Sequence, residues 1–266
     1  MPFARSADDV QLHYQVSGSG EPLLLLSGQA NNLHWWDRVR PDFEREFTTV
    51  VLDHRGTGLS GKPEGGYATR TFAEDALSVL DDLGVDRCHV YGTSMGGRVA
   101  QWLAADHPER VRGLVLGCTS PGPPHGVERS AEVRRSLAQP DRLKARRALL
   151  ELMYTPAWLE RHDEPFTAHG GPFTTLGDPD MPPHARKGHL LASGNHNSWD
   201  ALPSITAPTL VVHGTDDEFN PTANAPLLAK RIPDTRLHLV EGARHAYFEE
   251  FHHETGPLVA DFLDAH

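Results

Sequence analysis

The sequence predicts an α/β domain in which helices cover both faces of a mostly parallel central sheet. Six short apolar runs end at Gly or Asp, as expected of strands that are buried on both faces. Segments with helical spacing lie between several of these runs, and Pro or Gly marks their ends. A length of 266 residues suits one large domain with an insertion better than two independent domains.

The predicted strands and helices alternate along most of the chain. A separate segment, VQLHYQVSGSG at 10–20, alternates apolar and polar residues and predicts an exposed antiparallel strand that leads to a turn. The six buried strands are predicted at 22–28, 48–53, 88–92, 111–117, 209–214 and 236–242. The helices are predicted at 71–84, 95–108 and 222–233.

The alternation stops between residues 120 and 203. This segment is rich in Pro and Gly and contains helix-like pieces but no convincing buried strand, which predicts an insertion between two strands of one sheet. The core domain is then 1–119 together with 204–266. Residues 121–203 contain ten acidic and ten basic residues, so the net charge of -11 belongs to the core. A neutral insertion over an acidic core favours a lid for an uncharged or weakly charged small molecule.

The charge and composition argue against several classes of partner. A net charge of -11 without a long basic cluster argues against nucleic acid and anionic membranes. RLKARRALLELM at 142–153 is interpreted as an amphipathic helix with a solvated face. The start lacks a signal-peptide pattern and no apolar stretch approaches the ~20 residues of a membrane span, so we expect a cytoplasmic protein. Cys88 and Cys118 are expected to be buried free thiols.

The segment GTSMG at 92–96 fits the pattern G-x-S-x-G. An ordinary connection between a strand and a helix is the alternative, but the strand CHVYG before it and the helical segment after it are the context of a nucleophile elbow. On such a turn the Ser94 hydroxyl is exposed at the carboxyl end of the sheet. Gly92, Gly96 and Gly97 leave room for the close approach of neighbouring backbone.

A serine nucleophile needs a base and a group that orients the base. VVHGTDDEFNP ends the next-to-last predicted strand with Asp216 and Asp217, and VEGARHAYFEE ends the last with His245. The chain order is Ser, Asp, His, and each residue follows the carboxyl end of a strand, where doubly wound sheets place their sites. Both aspartates remain open as the orienting acid, with Asp217 favoured and Asp216 expected to face solvent or cap the turn.

The motifs GTSMG, DHRGTGLS (53–60), HGTDDEFNP and EGARH together resemble those of the α/β-hydrolase superfamily, over about residues 10–264. The resemblance implies the α/β-hydrolase fold and makes 120–203 an inserted helical cap. In the family the acid stands three residues after the glycine that ends its strand and four before a proline, which selects Asp217. The region from GTSMGG to TSPG is similar to that of 3-oxoadipate enol-lactonases and aclacinomycin-type methyl esterases, which implies the fold and the chemistry but not the substrate.

Attack by a serine also requires donors for the developing oxyanion. The resemblance implies the backbone N–H groups of Met95, which follows the nucleophile, and of Gln29, in the loop after the first buried strand. Relatives usually carry His-Gly where this chain has Ser27-Gly28. Because the donor belongs to the backbone, this departure bears on how the loop is held rather than on the donor itself.

Candidate substrate contacts lie in two places. Asn31 and Trp35 follow the loop of Gln29, with loop structure as the alternative role for the asparagine and core packing expected for Trp36. His196, in GNHNSWD, and the segment HGGPF at 169–173 lie in the expected cap, where they are candidates to line the pocket.

The sequence therefore predicts a cofactor-independent serine hydrolase that acts on a small carboxylic ester or lactone through Ser94, His245 and Asp217. HAYFEEFHHE at 245–254 is not H-E-x-x-H, and DHRGTGLS lacks the G-x-G-x-x-G register, so neither a metal nor a dinucleotide is expected. Alternatives that share the same side chains are a cofactor-free haloperoxidase (perhydrolase) and a hydrolase of C–C bonds. A small-molecule receptor on a hydrolase fold is the alternative from another class, and the oligomeric state stays open.

Overall fold

The structure, a computed structural model, describes residues 2–162 and 177–266. Its sheet contains the strands β1 (Phe3–Arg5), β2 (Gln11–Gly18), β3 (Glu21–Leu26), β4 (Phe47–Leu52), β5 (Cys88–Thr93), β6 (Val111–Gly117), β7 (Thr209–Gly214) and β8 (Thr235–Val240). The strand order is β1-β2-β4-β3-β5-β6-β7-β8. The pairs β1·β2 and β2·β4 are antiparallel and the other pairs are parallel. The predicted mostly parallel sheet is confirmed.

The helices of the described residues are α1 (Arg40–Phe43), α2 (Thr69–Asp82), α3 (Met95–Asp106), α4 (Ala131–Leu137), α5 (Arg142–Met153), α6 (Pro156–Arg161), α7 (Pro183–Gly194), α8 (Asn224–Arg231), α9 (Tyr247–Glu250) and α10 (His252–Asp264). The three predicted helices correspond to α2, α3 and α8. The segment predicted as an insertion contributes α4 to α7 between β6 and β7. In the part of the chain that the structure describes, no helix is long and apolar enough to cross a membrane.

Two apolar cores lie on opposite faces of the sheet. Alternate residues of β3 show the division, because Leu24 and Leu26 belong to the core that packs against α2, α3 and α8. Leu23 and Leu25 belong to the other core, which includes side chains of α1 and α10. Successive side chains of a strand point to opposite faces, so an unbroken apolar run such as PLLLL fills both cores at once. Because β3, β5, β6, β7 and β8 run parallel, their carboxyl ends lie at the same edge of the sheet.

The last strand differs from the prediction. Residues 236–242 were predicted to form a strand buried on both faces, but within the described residues β8 is an edge strand with β7 as its single neighbour. Leu237 and Leu239 are accordingly 41% and 42% exposed. The apolar run alone does not distinguish an edge from a central position.

Several short or irregular elements were not predicted. β1 has three residues, α1 and α9 have four each, and α10 contains Gly256 and Pro257, which disfavour a helix by propensity. Packing of α10 against the core overrides that propensity, since Val259, Phe262 and Leu263 are buried. Tertiary contacts therefore determine this helix more than its local sequence does.

Two other predictions are confirmed. Cys88 and Cys118 are buried free thiols, and burial raises the pKa of the Cys88 thiol to about 12. The predicted amphipathic helix is α5, whose N-cap residue Asp141 accepts hydrogen bonds from the backbone N–H groups of Leu143 and Lys144. Leu143, which the pattern assigned to the apolar face, is exposed.

Candidate active site

Ser94 lies between the end of β5 and the beginning of α3 with φ 56° and ψ -118°. This left-handed φ is unusual for a residue with a side chain and costs of order 1–3 kcal/mol, so the surrounding structure must impose it. The Ser94 N–H donates to the Gly117 carbonyl at 2.8 Å, and the Thr119 hydroxyl donates to the Ser94 carbonyl at 2.7 Å. These two bonds to β6 and its following loop hold the turn.

Two glycines around Ser94 make the tight turn possible. A Cβ added to Gly92 would overlap the Gly96 carbonyl, and one added to Gly96 would overlap the Leu26 carbonyl at the end of β3. Backbone atoms cannot move aside as a flexible side chain can, so both positions require glycine. The structure thus agrees with the expectation that these residues make room for neighbouring backbone.

Asp217 and His245 meet beyond the ends of β7 and β8. The His245 Nδ1 atom lies 2.7 Å from Asp217 Oδ2, and both side chains are almost fully buried. The second carboxylate oxygen accepts the Asn220 N–H at 2.8 Å. Because a carboxylate accepts, Nδ1 carries the hydrogen in neutral His245, which leaves the Nε2 lone pair free to act as a base.

The surroundings of Asp217 keep it ionised. Burial alone would raise the pKa of this carboxyl group, but the charge of His245 and the hydrogen bonds from His213 and His245 hold the pKa well below its ordinary value. Asp216, one residue earlier, is exposed and accepts a hydrogen bond from the Thr215 hydroxyl at 3.1 Å. Asp216 therefore faces solvent, as the sequence suggested.

His213 is a second imidazole at this carboxylate that sequence reasoning missed. Its Nε2 atom lies 3.2 Å from Asp217 Oδ2 and 2.7 Å from the Asn220 carbonyl. Because a carbonyl only accepts, Nε2 carries the hydrogen and is shared between these two oxygens. The only signal in the sequence is the position of His213 in VVHG, directly before the glycine that ends β7.

The loop after β3 places Gln29 at the same end of the sheet. The Asn31 side-chain amide donates to the Gln29 carbonyl at 2.9 Å, and Ala30 takes a left-handed φ of 58°. Leu33 N–H donates to Asp53 Oδ1 at 2.8 Å, which ties the end of the loop to the DHRGTGLS segment. The loop is thus fixed by contacts at Gln29 itself and at the residues that follow it.

Residues from the 120–203 segment hold the middle of this loop. Ala30 N–H donates to His189 Nδ1 at 3.2 Å, and the Ala30 carbonyl accepts from Asp178 N–H at 2.7 Å. The other nitrogen of His189 donates to the Arg55 carbonyl at 2.8 Å. Burial lowers the pKa of His189 to about 4, so the ring is neutral near pH 7 and Nδ1 can accept. These contacts support a loop in which Ser27 occupies the position where relatives usually carry histidine.

The loop that carries His245 is held by the same segment. Ala246 N–H donates to the Met153 carbonyl at 2.8 Å, and His245 N–H donates to the Leu152 carbonyl at 3.4 Å. Arg244 Nη1 donates to the Glu151 carbonyl. The carboxyl end of α5 therefore fixes the backbone around the imidazole.

Ser94 and His245 open onto one cavity of about 500 Å³. Met95 is the first residue of α3, so its backbone N–H has no acceptor within the helix. The core contributes the Gln29 loop and Phe219 to the walls. The 120–203 segment contributes Leu137 of α4, Leu149 and Met153 of α5, and Pro183 and Leu190 of α7. Most of these side chains are apolar.

The candidate substrate contacts divide into two groups. Asn31 and Trp35 line the cavity, and Trp35 also donates from Nε1 to the Thr93 hydroxyl at 2.9 Å. The expectation for His196 is wrong: its ring is buried elsewhere, 2.9 Å from the Thr69 hydroxyl and beside Trp102, and it does not line the cavity. Trp36 is fully buried in the core, and HGGPF at 169–173 lies outside the described residues.

The fold and this arrangement of side chains define a hydrolase of the α/β class. The sequence pattern of the alpha/beta hydrolase fold family matches residues 21–251, and the chain belongs to this family. The resemblance inferred from the motifs is confirmed at this level.

Individual relatives carry different activities. RutD of Azorhizobium caulinodans, named provisionally as a carbamate hydrolase, is 32% identical over 259 residues, which cover 93% of this chain and 92% of that protein. The structure of Est816, described as an N-acyl homoserine lactone degrading enzyme, matches with a TM-score of 0.80 and 30% identity over 98% of this chain and 100% of that chain. The enol-lactonase of Burkholderia xenovorans LB400 matches with a TM-score of 0.84 and 23% identity over 99% and 100%, which shows the shared fold alone.

Proposed function

We propose that this hydrolase cleaves a small carboxylic ester or lactone through a covalent acyl-enzyme. Ser94 is the nucleophile, His245 is the general base and acid, and Asp217 orients the imidazole. The observation that carries the proposal is the 2.7 Å contact between His245 Nδ1 and Asp217 Oδ2, at a cavity that Ser94 also lines.

In the first step, His245 Nε2 removes the proton from Ser94 Oγ as this oxygen attacks the substrate carbonyl carbon. The low pKa of Asp217 keeps the carboxylate charged, so it stabilises the imidazolium that forms. Negative charge develops on the former carbonyl oxygen, where the backbone N–H groups of Met95 and Gln29 are the donors. Each preorganised donor of this kind lowers the barrier by about 3–4 kcal/mol.

In the second step, the imidazolium of His245 protonates the departing alkoxide, and the acyl group stays on Ser94 Oγ. His245 then takes a proton from water, the resulting hydroxide attacks the ester carbonyl, and the acid leaves as Ser94 is reprotonated. In a lactone the departing alkoxide remains attached to the acyl group, so one product results.

Two further observations support the substrate class. A cavity of about 500 Å³ with mostly apolar walls suits a small molecule, and Est816, which shares 30% identity, is described as acting on a lactone. We also propose that residues 120–203 form a cap. Side chains of α4, α5 and α7 supply one wall of the cavity, as a cap would.

Covalent labelling tests the nucleophile directly. Incubation with a serine-directed fluorophosphonate at pH 8 should add the mass of one phosphonyl group, located by peptide mapping on Ser94. Ser94→Ala should remain unlabelled, whereas the control Ser17→Ala, on the exposed end of β2, should label as the unaltered protein does. An unchanged mass of the unaltered protein, or labelling of Ser94→Ala to the same extent, would contradict the proposal.

Turnover assays separate the competing reactions. We expect hydrolysis within a panel of small esters and lactones, to be measured alongside peroxide-dependent halogenation, C–C cleavage of a vinylogous diketone and carbamate hydrolysis. If halogenation, C–C cleavage or carbamate hydrolysis is faster than ester and lactone hydrolysis, that reaction replaces the proposed one. Tight binding of a panel ester without any turnover would instead favour a receptor.

A further inference from the structure

The cavity beside Ser94 is lined by three basic side chains. Arg129, Arg186 and Lys187 all come from the 120–203 segment, and among the described residues no Asp or Glu lines the cavity. The neutral charge of this segment suggested an uncharged or weakly charged ligand. The described acidic residues of the segment do not line the cavity, so the described lining carries a positive potential that the charge count alone does not indicate.

Arg129 is connected to the candidate catalytic base through the ring of Phe219. Its Cζ atom lies 4.1 Å from the centroid of the Phe219 ring, and the Phe219 ring lies 4.6 Å from the His245 ring. The phenyl ring of Phe219 therefore lies between the Arg129 guanidinium and the His245 imidazole. The leaving oxygen receives its proton from His245, so the alcohol part of the substrate is the part nearest to Phe219 and Arg129.

The Arg129 guanidinium is partly removed from water without an ion-pair partner among the described residues. Burial lowers the pKa of Arg129, whereas the charges of Glu128 and Asp217 raise it, but neither carboxylate lies within ion-pair distance. A partly desolvated cation with several unused N–H donors favours a ligand that supplies a carboxylate, which guanidinium binds in a bidentate manner.

The other two basic side chains have different surroundings. Arg186 already donates from Nη2 to the Asp178 carbonyl at 3.0 Å, and Lys187 is exposed. Both add to the positive potential, but Arg129 is the cation at the inner wall beside Phe219. One such cation matches a group with a single negative charge better than a dianion.

We propose that the alcohol part of the substrate carries a carboxylate that Arg129 binds inside this cavity. The proposal rests on the proposed esterase or lactonase function and narrows it to anionic substrates. It identifies Arg129 as a specificity-determining residue rather than a member of the catalytic machinery.

A matched pair of esters tests this assignment. 4-Carboxyphenyl butyrate and 4-carbamoylphenyl butyrate have the same acyl group and nearly the same shape, and differ in the charge of the alcohol part. After correction for their rates of alkaline hydrolysis, kcat/KM should be about 10- to 100-fold higher for the carboxylate, which corresponds to about 1.4–2.8 kcal/mol. Arg129→Gln should abolish this preference, Arg129→Lys should retain part of it, and Arg135→Gln, on the exposed face of α4, should leave it unchanged.

Equal kcat/KM values for the two esters would overturn the proposal, and so would an unchanged preference in Arg129→Gln. A preference confined to a carboxylate in the acyl part, or stronger inhibition by inorganic phosphate than by 4-hydroxybenzoate, would also overturn it. If Arg129→Gln does not fold, the unaltered protein decides through competitive inhibition, which should be at least tenfold stronger with 4-hydroxybenzoate than with 4-hydroxybenzamide.

Binding measurements distinguish failure of this proposal from failure of the proposed function. Calorimetry with Ser94→Ala should give tighter binding of 4-carboxyphenyl butyrate than of the carbamoyl compound, with no chemistry required. If the unaltered protein hydrolyses neither ester but Ser94→Ala shows this selectivity, the result supports the anion site and contradicts the esterase function. If both esters are hydrolysed without selectivity, the result supports the esterase function and contradicts the anion site.

Discussion

His189 Nδ1 accepts the backbone N–H of Ala30 at 3.2 Å, so a helix of the inserted segment supports the loop of the proposed oxyanion donor Gln29. Asp178 strengthens the same connection, because its N–H donates to the Ala30 carbonyl at 2.7 Å and its Oδ2 accepts the Gly58 N–H. The segment that forms one wall of the cavity thus also fixes the loop that carries Gln29. Changes in the segment should therefore affect the rate of the chemical step as well as the choice of substrate.

The first prediction concerns His189. His189→Leu removes the acceptor for Ala30 N–H and the donor to the Arg55 carbonyl, so the Gln29 loop should lose its fixed position. We expect kcat for a turned-over ester to fall by at least tenfold and the free energy of unfolding to fall by about 1–3 kcal/mol for each buried group left without a partner. His189→Asn, whose side chain can offer an acceptor near the Nδ1 position, should recover part of kcat.

Steady-state kinetics and urea denaturation measure both effects of His189→Leu. The control is His253→Leu, at an exposed position of α10. Full kcat in a folded His189→Leu variant would show that the loop does not depend on this contact.

The second prediction uses the adjacent aspartates after β7. Asp217→Asn replaces the carboxylate that accepts from His245 Nδ1, so the imidazole can adopt the wrong tautomer and its charged form loses its partner. A fall in kcat of about 10³- to 10⁴-fold is expected for a residue in this role. Asp216→Asn, one residue earlier and exposed, should keep kcat within about twofold. Similar kcat values for the two variants would refute the assignment of Asp217.

Much of this arrangement could be predicted because interior parallel strands need unbroken apolar runs. The observed bounds of β5 and β6 agree with the predicted strands to within one residue, and Ser94 follows β5 as expected. The chain order and the strand ends also predicted that His245 meets an aspartate after β7, and the family resemblance selected Asp217, which is the residue in contact. Local sequence is sufficient to predict a site residue where the end of a strand carries a single candidate functional group.

The remaining features depend on contacts between distant parts of the chain. His189 lies 159 residues from Ala30, and no local pattern marks it as the partner of that loop. His196 was expected to line the substrate pocket because it lies in the expected cap, but the fold buries it beside Thr69. A count of charges over 121–203 could not reveal that Arg129 lines the cavity whereas the described acidic side chains of that segment do not.

The third prediction compares two glycines. Gly96→Ala places a Cβ against the Leu26 carbonyl, so either β3 or the Ser94 turn must shift. We expect the variant to unfold more easily, by at least about 1 kcal/mol, and to lose most of its reaction with a fluorophosphonate. Gly194→Ala, at the end of α7 with open space around the added Cβ, should be neutral or stabilising by up to about 1 kcal/mol. Equal stability and labelling of the two variants would contradict the steric argument.

The fourth prediction is the pH dependence of stability. Burial lowers the pKa of His54 to about 3 and of His89 and His189 to about 4, and holds the pKa of His196 well below its ordinary value. In the unfolded chain these imidazoles return to a pKa of about 6.5. Between pH 6.5 and about 4 the unfolded state therefore binds more protons, and acidification favours unfolding. Burial raises the pKa of Glu249 to about 7 and also raises the pKa of Asp75, and the hydrogen bond to Asp37 raises the pKa of His34. These three groups act in the opposite direction, but among the described residues the four histidines outnumber them.

The free energy of unfolding should accordingly fall as the pH is lowered from 7.5 to 5, with each buried histidine contributing up to about 1.4 kcal/mol per pH unit. Urea denaturation at pH 7.5, 6.5 and 5.5 measures this slope. His196→Gln should make the slope shallower because it removes one of the four groups, whereas His253→Gln, at an exposed position, should leave it unchanged. A free energy of unfolding that stays constant or increases on acidification would mean that these rings are protonated in the folded protein.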